Sequence, residues 1–136
     1  MRGIQLVREF HEVLPPVSGD SGLLQQVFLN LVNNALDAMP GGGVLTLGTG
    51  LGEAAANGKV VEVVVVDNGV GMSEAIKEKV LEPFFTTKEP GKGAGLGLAI
   101  CTEIIRSHHG KLEIESQEGK GSLFRIQLPT FHPEDR

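Results

Sequence analysis

Apolar positions recur at two different spacings in this chain, and each change of period marks a new element. Residues 4 to 10, Ile4-Gln5-Leu6-Val7-Arg8-Glu9-Phe10, alternate roughly between apolar and polar, and Pro15-Pro16 closes the run. That is the pattern of a half-buried strand, expected at a sheet edge. From Leu23 to Met39 the apolar residues fall at helical spacing instead, with N-cap side chains offered by Asp20-Ser21-Gly22 and a stop at Pro40-Gly41-Gly42-Gly43. Val44 to Thr49 and Val60 to Val66 predict two strands joined by a loose Ala/Gly loop at 51 to 58. The second of these is almost all β-branched and belongs in the middle of a sheet.

Ser73 can cap a short helix from Glu74 to about Val80, after which Pro83, Pro90 and the glycines between 91 and 97 forbid regular structure. Leu96 to His109 predicts a helix with Gly110 as its C-cap. Strands at Lys111 to Ser116 and Ser122 to Leu128 flank the turn Gly119-Lys120-Gly121. Helices and strands are mixed without strict alternation. The expected architecture is therefore an α/β (α+β) two-layer sandwich, a mixed sheet of about five strands covered on one face by three helices, and not a doubly wound parallel fold.

Composition adds limits. The chain has 136 residues and a formal charge of -5, the size of one globular domain over 1 to 136. An acidic balance argues against nucleic acid or anionic lipid as a general partner, since both demand clustered Lys and Arg. No apolar run approaches the roughly 18 residues that cross a bilayer, and no signal peptide opens the chain, so no direct membrane contact is expected. One cysteine, Cys101, excludes a disulfide scaffold and points to a reducing, cytoplasmic setting, although a parent protein could still be membrane-anchored. Glycine is the outlier: 19 residues, about twice the usual share.

Three segments carry chemistry. On the first helix, at about 100° per residue, Gln26, Asn30, Asn33, Asn34 and Asp37 share one arc. Asn is a poor helix former, so three of them in mid-helix ask for a reason. One reading is a solvated face; the other is a set of oxygen ligands for a hard cation such as Mg²⁺. The second segment, Asp67-Asn68-Gly69-Val70-Gly71, places a carboxylate at the end of an apolar strand with glycines behind it. It could be an Asx turn, or an acceptor for the exocyclic amine of adenine, with the glycines letting a flat ligand approach. Third, Phe84-Phe85-Thr86-Thr87-Lys88 runs through a glycine-rich stretch into a helix. Glycines ahead of a helix N-terminus make a phosphate cradle. Neither the P-loop nor the dinucleotide glycine fingerprint occurs. Lys88, and less so Lys92, are partners for phosphate charge, while Phe84 and Phe85 are better suited to anchoring the loop.

In order and spacing these segments resemble the GHKL superfamily of ATP-binding domains, most closely the catalytic domain of two-component sensor histidine kinases. Residues 25 to 39 look like the N box, 67 to 71 the G1 box, 81 to 88 the F box, 93 to 98 the G2 box and 119 to 129 the terminal Gly-Thr segment. Asn-Ala-Leu-Asp-Ala-Met-Pro and Phe-Phe-Thr-Thr-Lys are similar to the nitrogen-regulation branch. The resemblance implies a Bergerat-type sandwich that binds ATP with Mg²⁺ on Asn34, reads adenine with Asp67, and closes a lid at about 86–97. It implies nucleotide contacts from Asn30, Asn34, Asp37, Asp67, Gly69, Gly71, Lys88, Gly93, Gly95, Leu96, Gly97, Leu98 and Ser122, with Asn30 and Lys88 as catalytic residues.

Hydrolysing relatives carry Glu where this chain has Asn30, and an amide cannot act as a general base. The implied activity is therefore transfer of the γ-phosphate to a His on a separate helical dimerisation domain, and from there to a response regulator. Two departures stand out: Asp37 replaces a usual Lys or Arg, a charge Lys88 is left to supply, and Ser122 replaces Thr. None of His11, His108, His109 and His132 lies in a phosphoacceptor hairpin, so phosphoacceptor and sensor domains are expected outside this segment. A nucleotide-gated interaction module and a conformational ATPase are the competing readings.

Overall fold

The computed structural model describes residues 3–54, 58–79 and 97–130. Five strands form one sheet: β1 (Ile4–Glu9), β2 (Gly43–Ala54), β3 (Gly58–Asp67), β4 (Lys111–Gln117) and β5 (Gly121–Pro129), in the order β1-β2-β3-β5-β4. The helices are α1 (Ser21–Asp37), α2 (Glu74–Lys79) and α3 (Gly97–Ser107). β1 pairs parallel with β2, and α1 supplies the crossover that parallel neighbours require; every other pairing is antiparallel. The expected edge position of β1 and central position of β3 are both found.

α1 begins where its cap dictates. The Asp20 carboxylate accepts the Leu23 N–H at 3.0 Å, satisfying an otherwise unpaired donor of the first turn. Val27, Leu31 and Ala35, one turn apart, are fully buried, against Leu98, Cys101, Ile104 and Ile105 of α3 and Leu45, Val65, Phe124, Ile126 and Leu128 of the sheet. Burying a leucine such as Leu31 contributes roughly 1.5–3 kcal/mol.

Two local expectations are corrected. The loop placed at 51 to 58 is largely strand: Leu51 to Ala54 pair with Gly58 to Val61, because antiparallel pairing of the flanking strands extends through small residues once one partner is fixed. The left-handed residue ending α3 is His109 (φ 62), not Gly110. His109 N–H donates to the Arg106 carbonyl and Gly110 N–H to that of Ile105, both at 2.9 Å, the bonding of a Schellman motif. Gly110 is needed for space, since a Cβ there would lie 2.3 Å from the Gln127 carbonyl oxygen.

His108 joins the two long helices. Its Nδ1 lies 2.7 Å from the Ile104 carbonyl and its Nε2 accepts the Asp20 N–H at 3.0 Å, so the ring is neutral with its proton on Nδ1. It ties the C-terminal end of α3 to the N-cap of α1, which makes the pair antiparallel. His108 is thus a bond between helices.

Candidate functional site

Of the amide arc of α1, Asn30 is the residue set against α3. Asn30 donates its amide N–H to Cys101 Sγ at 3.7 Å, leaving its carbonyl oxygen for other partners. The thiol it meets is fully buried, and burial pushes the Cys101 pKa up. Asn34 is half-buried, and its side chain makes no hydrogen bond among the described residues. Gln26, Asn33 and Asp37 are exposed. Four residues of helix, about 6 Å, separate Asn30 from Asn34, and four also separate Cys101 from Gly97. In an antiparallel pair this sets Asn34 level with the first turn of α3, where free N–H groups and the positive end of the dipole favour an anion.

Asp67 ends β3 and is only 4% exposed. Oδ1 accepts the Gly69 N–H at 2.9 Å, whereas Oδ2 is buried and has no hydrogen-bond partner among the described residues. Desolvation raises the Asp67 pKa, opposed by the backbone amides of Gly69 and Ser122. A buried carboxylate oxygen left without a donor is costly, which marks it as an acceptor held ready for a ligand.

The loop after Asp67 is laced to its surroundings. Asn68 Oδ1 accepts the Val44 N–H at 2.8 Å, Val70 N–H donates to the Ala38 carbonyl at 3.0 Å, and the Val70 carbonyl accepts the Gly119 N–H at 2.7 Å. The two glycines answer to packing: a Cβ on Gly69 would meet the Ala38 oxygen at 2.2 Å, and one on Gly71 (φ +68) the Gln117 oxygen at 2.0 Å. What lies on the side where a Cβ would project is protein backbone, so both positions exclude a side chain whatever meets their other side.

Ser122 is buried at the start of β5, directly paired with Asp67, and its hydroxyl lies 2.8 Å from that of Ser116. A shallow cavity of about 330 Å³ at this end of the sheet touches Asp67, Ser116 and Ser122. Its lining also includes Val66, Glu115, Gln117 and Leu123, which alternation turns away from the helices. The cavity therefore sits at the end of the sheet, with residues of both faces and of the Lys120-Gly121 turn in its lining. Among the described residues no cluster of three or more His, Cys, Asp or Glu side chains could hold a metal.

The convergence of α1, the end of β3 and the start of α3 has a counterpart in known proteins: residues 19–132 match the histidine kinase-, DNA gyrase B- and HSP90-like ATPases. The chain belongs to that family.

Sporulation kinase C of Bacillus subtilis is 43% identical over 113 residues, covering 83% of this chain and 25% of its own. The sensory histidine kinase/phosphatase NtrB of Rhodobacter capsulatus is 39% identical over 137 aligned positions, covering 95% and 38%. The nitrogen-regulation likeness is real but not peculiar to that branch. A nucleotide-free catalytic domain of histidine kinase ThkA superposes with a TM-score of 0.77 at 34% identity, covering 98% of this chain and 82% of that one. The five-stranded, three-helix sandwich is thus the fold of histidine kinase catalytic domains. The chain spans well under half the length of the two sequence relatives.

Within this histidine kinase-like ATPase domain, Asn30, Asn34, Asp67 and Ser122 are brought to the same end of the molecule. Gly97 opens α3, and Leu98 is buried with its side chain in the hydrophobic core, so only its backbone is open to a ligand. Asp37 is exposed one turn beyond Asn34. Lys88, Gly93, Gly95 and Leu96, with most of the lid at about 86–97, Lys92 and the Phe84-Phe85 pair, lie outside the described residues. Ser116 was missed from the sequence because a serine in an alternating strand carries no signal of its own.

Proposed function

We propose that this chain is the ATP-binding catalytic domain of a sensor histidine kinase, handing the γ-phosphate to a histidine on a separate helical domain and, through it, to a response regulator. The observation that carries the reading is Asp67 Oδ2, a buried acceptor with no donor among the described residues, at the end of a central strand. The exocyclic amine of adenine supplies that donor, whereas the carbonyl oxygen of guanine would face it with a second acceptor.

The phosphates extend from there toward Asn34 and the first turn of α3, where backbone N–H groups receive them. The Asn34 amide oxygen, with Asn30 beside it, would hold Mg²⁺, which would supply neutralisation of phosphate charge. Lys88, Gly93, Gly95 and Leu96 are assigned to the phosphates from the sequence alone. Asn30, whose amide donates to a thiol, has no lone pair basic enough to activate water, which favours transfer over hydrolysis. What remains for the protein is positioning and charge stabilisation.

Calorimetric titration of ADP and a non-hydrolysable ATP analogue, with and without Mg²⁺, tests the site. Saturable binding is expected, with Mg²⁺ strengthening the triphosphate and Asn34→Ala removing that gain. Mixing the chain with ATP and a helical phosphoacceptor domain should then yield acid-labile phosphohistidine. Rapid phosphate release without transfer would mean an ATPase, and binding without either would mean a nucleotide-gated interaction module.

A further inference from the structure

Asp67, Ser122 and Ser116 form a row across three adjacent strands: Asp67 pairs with Ser122, and Ser122 with Ser116. Alternation puts all three on the helix-bearing face, in step with Val65, Phe124 and Ile114 of the core and its margin. Ser116 is the best connected of the three. Its Oγ accepts the Met72 N–H at 2.8 Å, lies 2.8 Å from Ser122 Oγ, and is 3.2 Å from the Gly121 carbonyl oxygen.

A hydroxyl has one proton and two lone pairs. Met72 occupies one lone pair of Ser116, and the single proton goes either to Gly121 or to Ser122. If Gly121 receives it, Ser122 gives its own proton to Ser116 and offers only lone pairs to the site. If Ser122 receives it, the Ser122 proton is free for a ligand. Asp67, when ionised, is acceptor only. The pairing edge of adenine sets a donor, the amine, beside an acceptor, the ring nitrogen N1, and the matching protein edge is an acceptor beside a donor. That is Asp67 beside Ser122 with the Ser122 proton released.

We infer that Ser116 is a positioning residue for the base. It holds the Ser122 hydroxyl next to Asp67 with its proton directed outward, and through Met72 it fixes the loop following Asp67 to the same point. The inference rests on the reading of this site as an adenine-nucleotide pocket.

The test is titration of ADP and of 1-deaza-ADP, whose N1 is replaced by C–H, into the full chain and into Ser116→Ala, Ser116→Thr and Ser122→Ala, each checked by thermal melting. The wild type should prefer ADP. Ser116→Ala should weaken ADP binding about fivefold, the scale of one neutral hydrogen bond, and leave 1-deaza-ADP unchanged. Ser116→Thr keeps the hydroxyl and should restore the preference, while Ser122→Ala should lose it from the other side and serves if Ser116→Ala fails to fold. Equal weakening of both nucleotides in Ser116→Ala would reduce the residue to a brace for the loop and overturn the inference. So would a wild type that does not distinguish the two nucleotides. Failure of the wild type to bind ADP at all would instead remove the adenine reading beneath it.

Discussion

Replacing Asp67 with Asn should make the domain more stable at neutral pH and at the same time cripple it as an adenine receptor. Asn is isosteric and keeps an oxygen for the Gly69 N–H, so the bond at 2.9 Å survives. What changes is the other atom, a buried carboxylate oxygen with no partner among the described residues. An unsatisfied buried group costs roughly 1–3 kcal/mol, and an amide carries no charge to desolvate. A net gain of about 1 kcal/mol raises the melting temperature of a domain this size by about 4 °C.

The pH dependence follows from the direction of the Asp67 shift. Its pKa in the folded state is raised by burial, so its contribution to stability is fully present below the ordinary aspartate value and is lost as pH rises through the folded value. The advantage of Asp67→Asn is therefore full above the folded pKa and disappears in acid, where the wild-type carboxyl is itself neutral. For adenine the same change sets an amide donor against an amine donor. Losing a charged hydrogen bond of about 1.5–3 kcal/mol raises the Kd roughly ten- to hundredfold. Paired melts of both proteins from neutral to acid pH, with ADP titrations at neutral pH, read out both effects. A variant less stable than wild type by the same margin at every pH, or one that binds ADP normally, would refute the reasoning.

Other sites can be probed by simpler changes. Gly71→Ala forces a Cβ onto the Gln117 carbonyl oxygen and a left-handed backbone onto alanine, so a loss of about 2 kcal/mol or more is expected in denaturant unfolding. His108→Ala removes the acceptor of the Asp20 N–H at the joint between α1 and α3; it should lower stability by about 1–2 kcal/mol in the same assay, with ADP affinity unchanged. Asn34→Ala should leave Mg²⁺-free ADP binding nearly intact while abolishing the increment Mg²⁺ gives to the triphosphate.

The strands, the helices and the placing of a carboxylate at the end of β3 could be read along the chain because each rests on local rules. The valine run of β3 has no stable place except the sheet interior, and the capped 3.6-residue period from Leu23 has no reading except a helix. Asp67 closing an apolar strand and Asn34 in mid-helix were conspicuous because each breaks its local pattern. The sequence alone also carried the ordered boxes that put the chain among the histidine kinase-like ATPases.

Tertiary structure decided what depends on elements distant in sequence. The glycines at 69 and 71 also answer to packing: a Cβ on either would meet the carbonyl oxygen of Ala38 or Gln117, which the end of α1 and strand β4 bring from distant parts of the chain. Ser116 has nothing to distinguish it until β4 pairs with β5 and sets its hydroxyl against Ser122. His108 became a clasp only when α3 lay antiparallel to α1. The same packing left Asp67 buried with one oxygen unpaired among the described residues, a property of adjacent strands that no spacing within one segment can express.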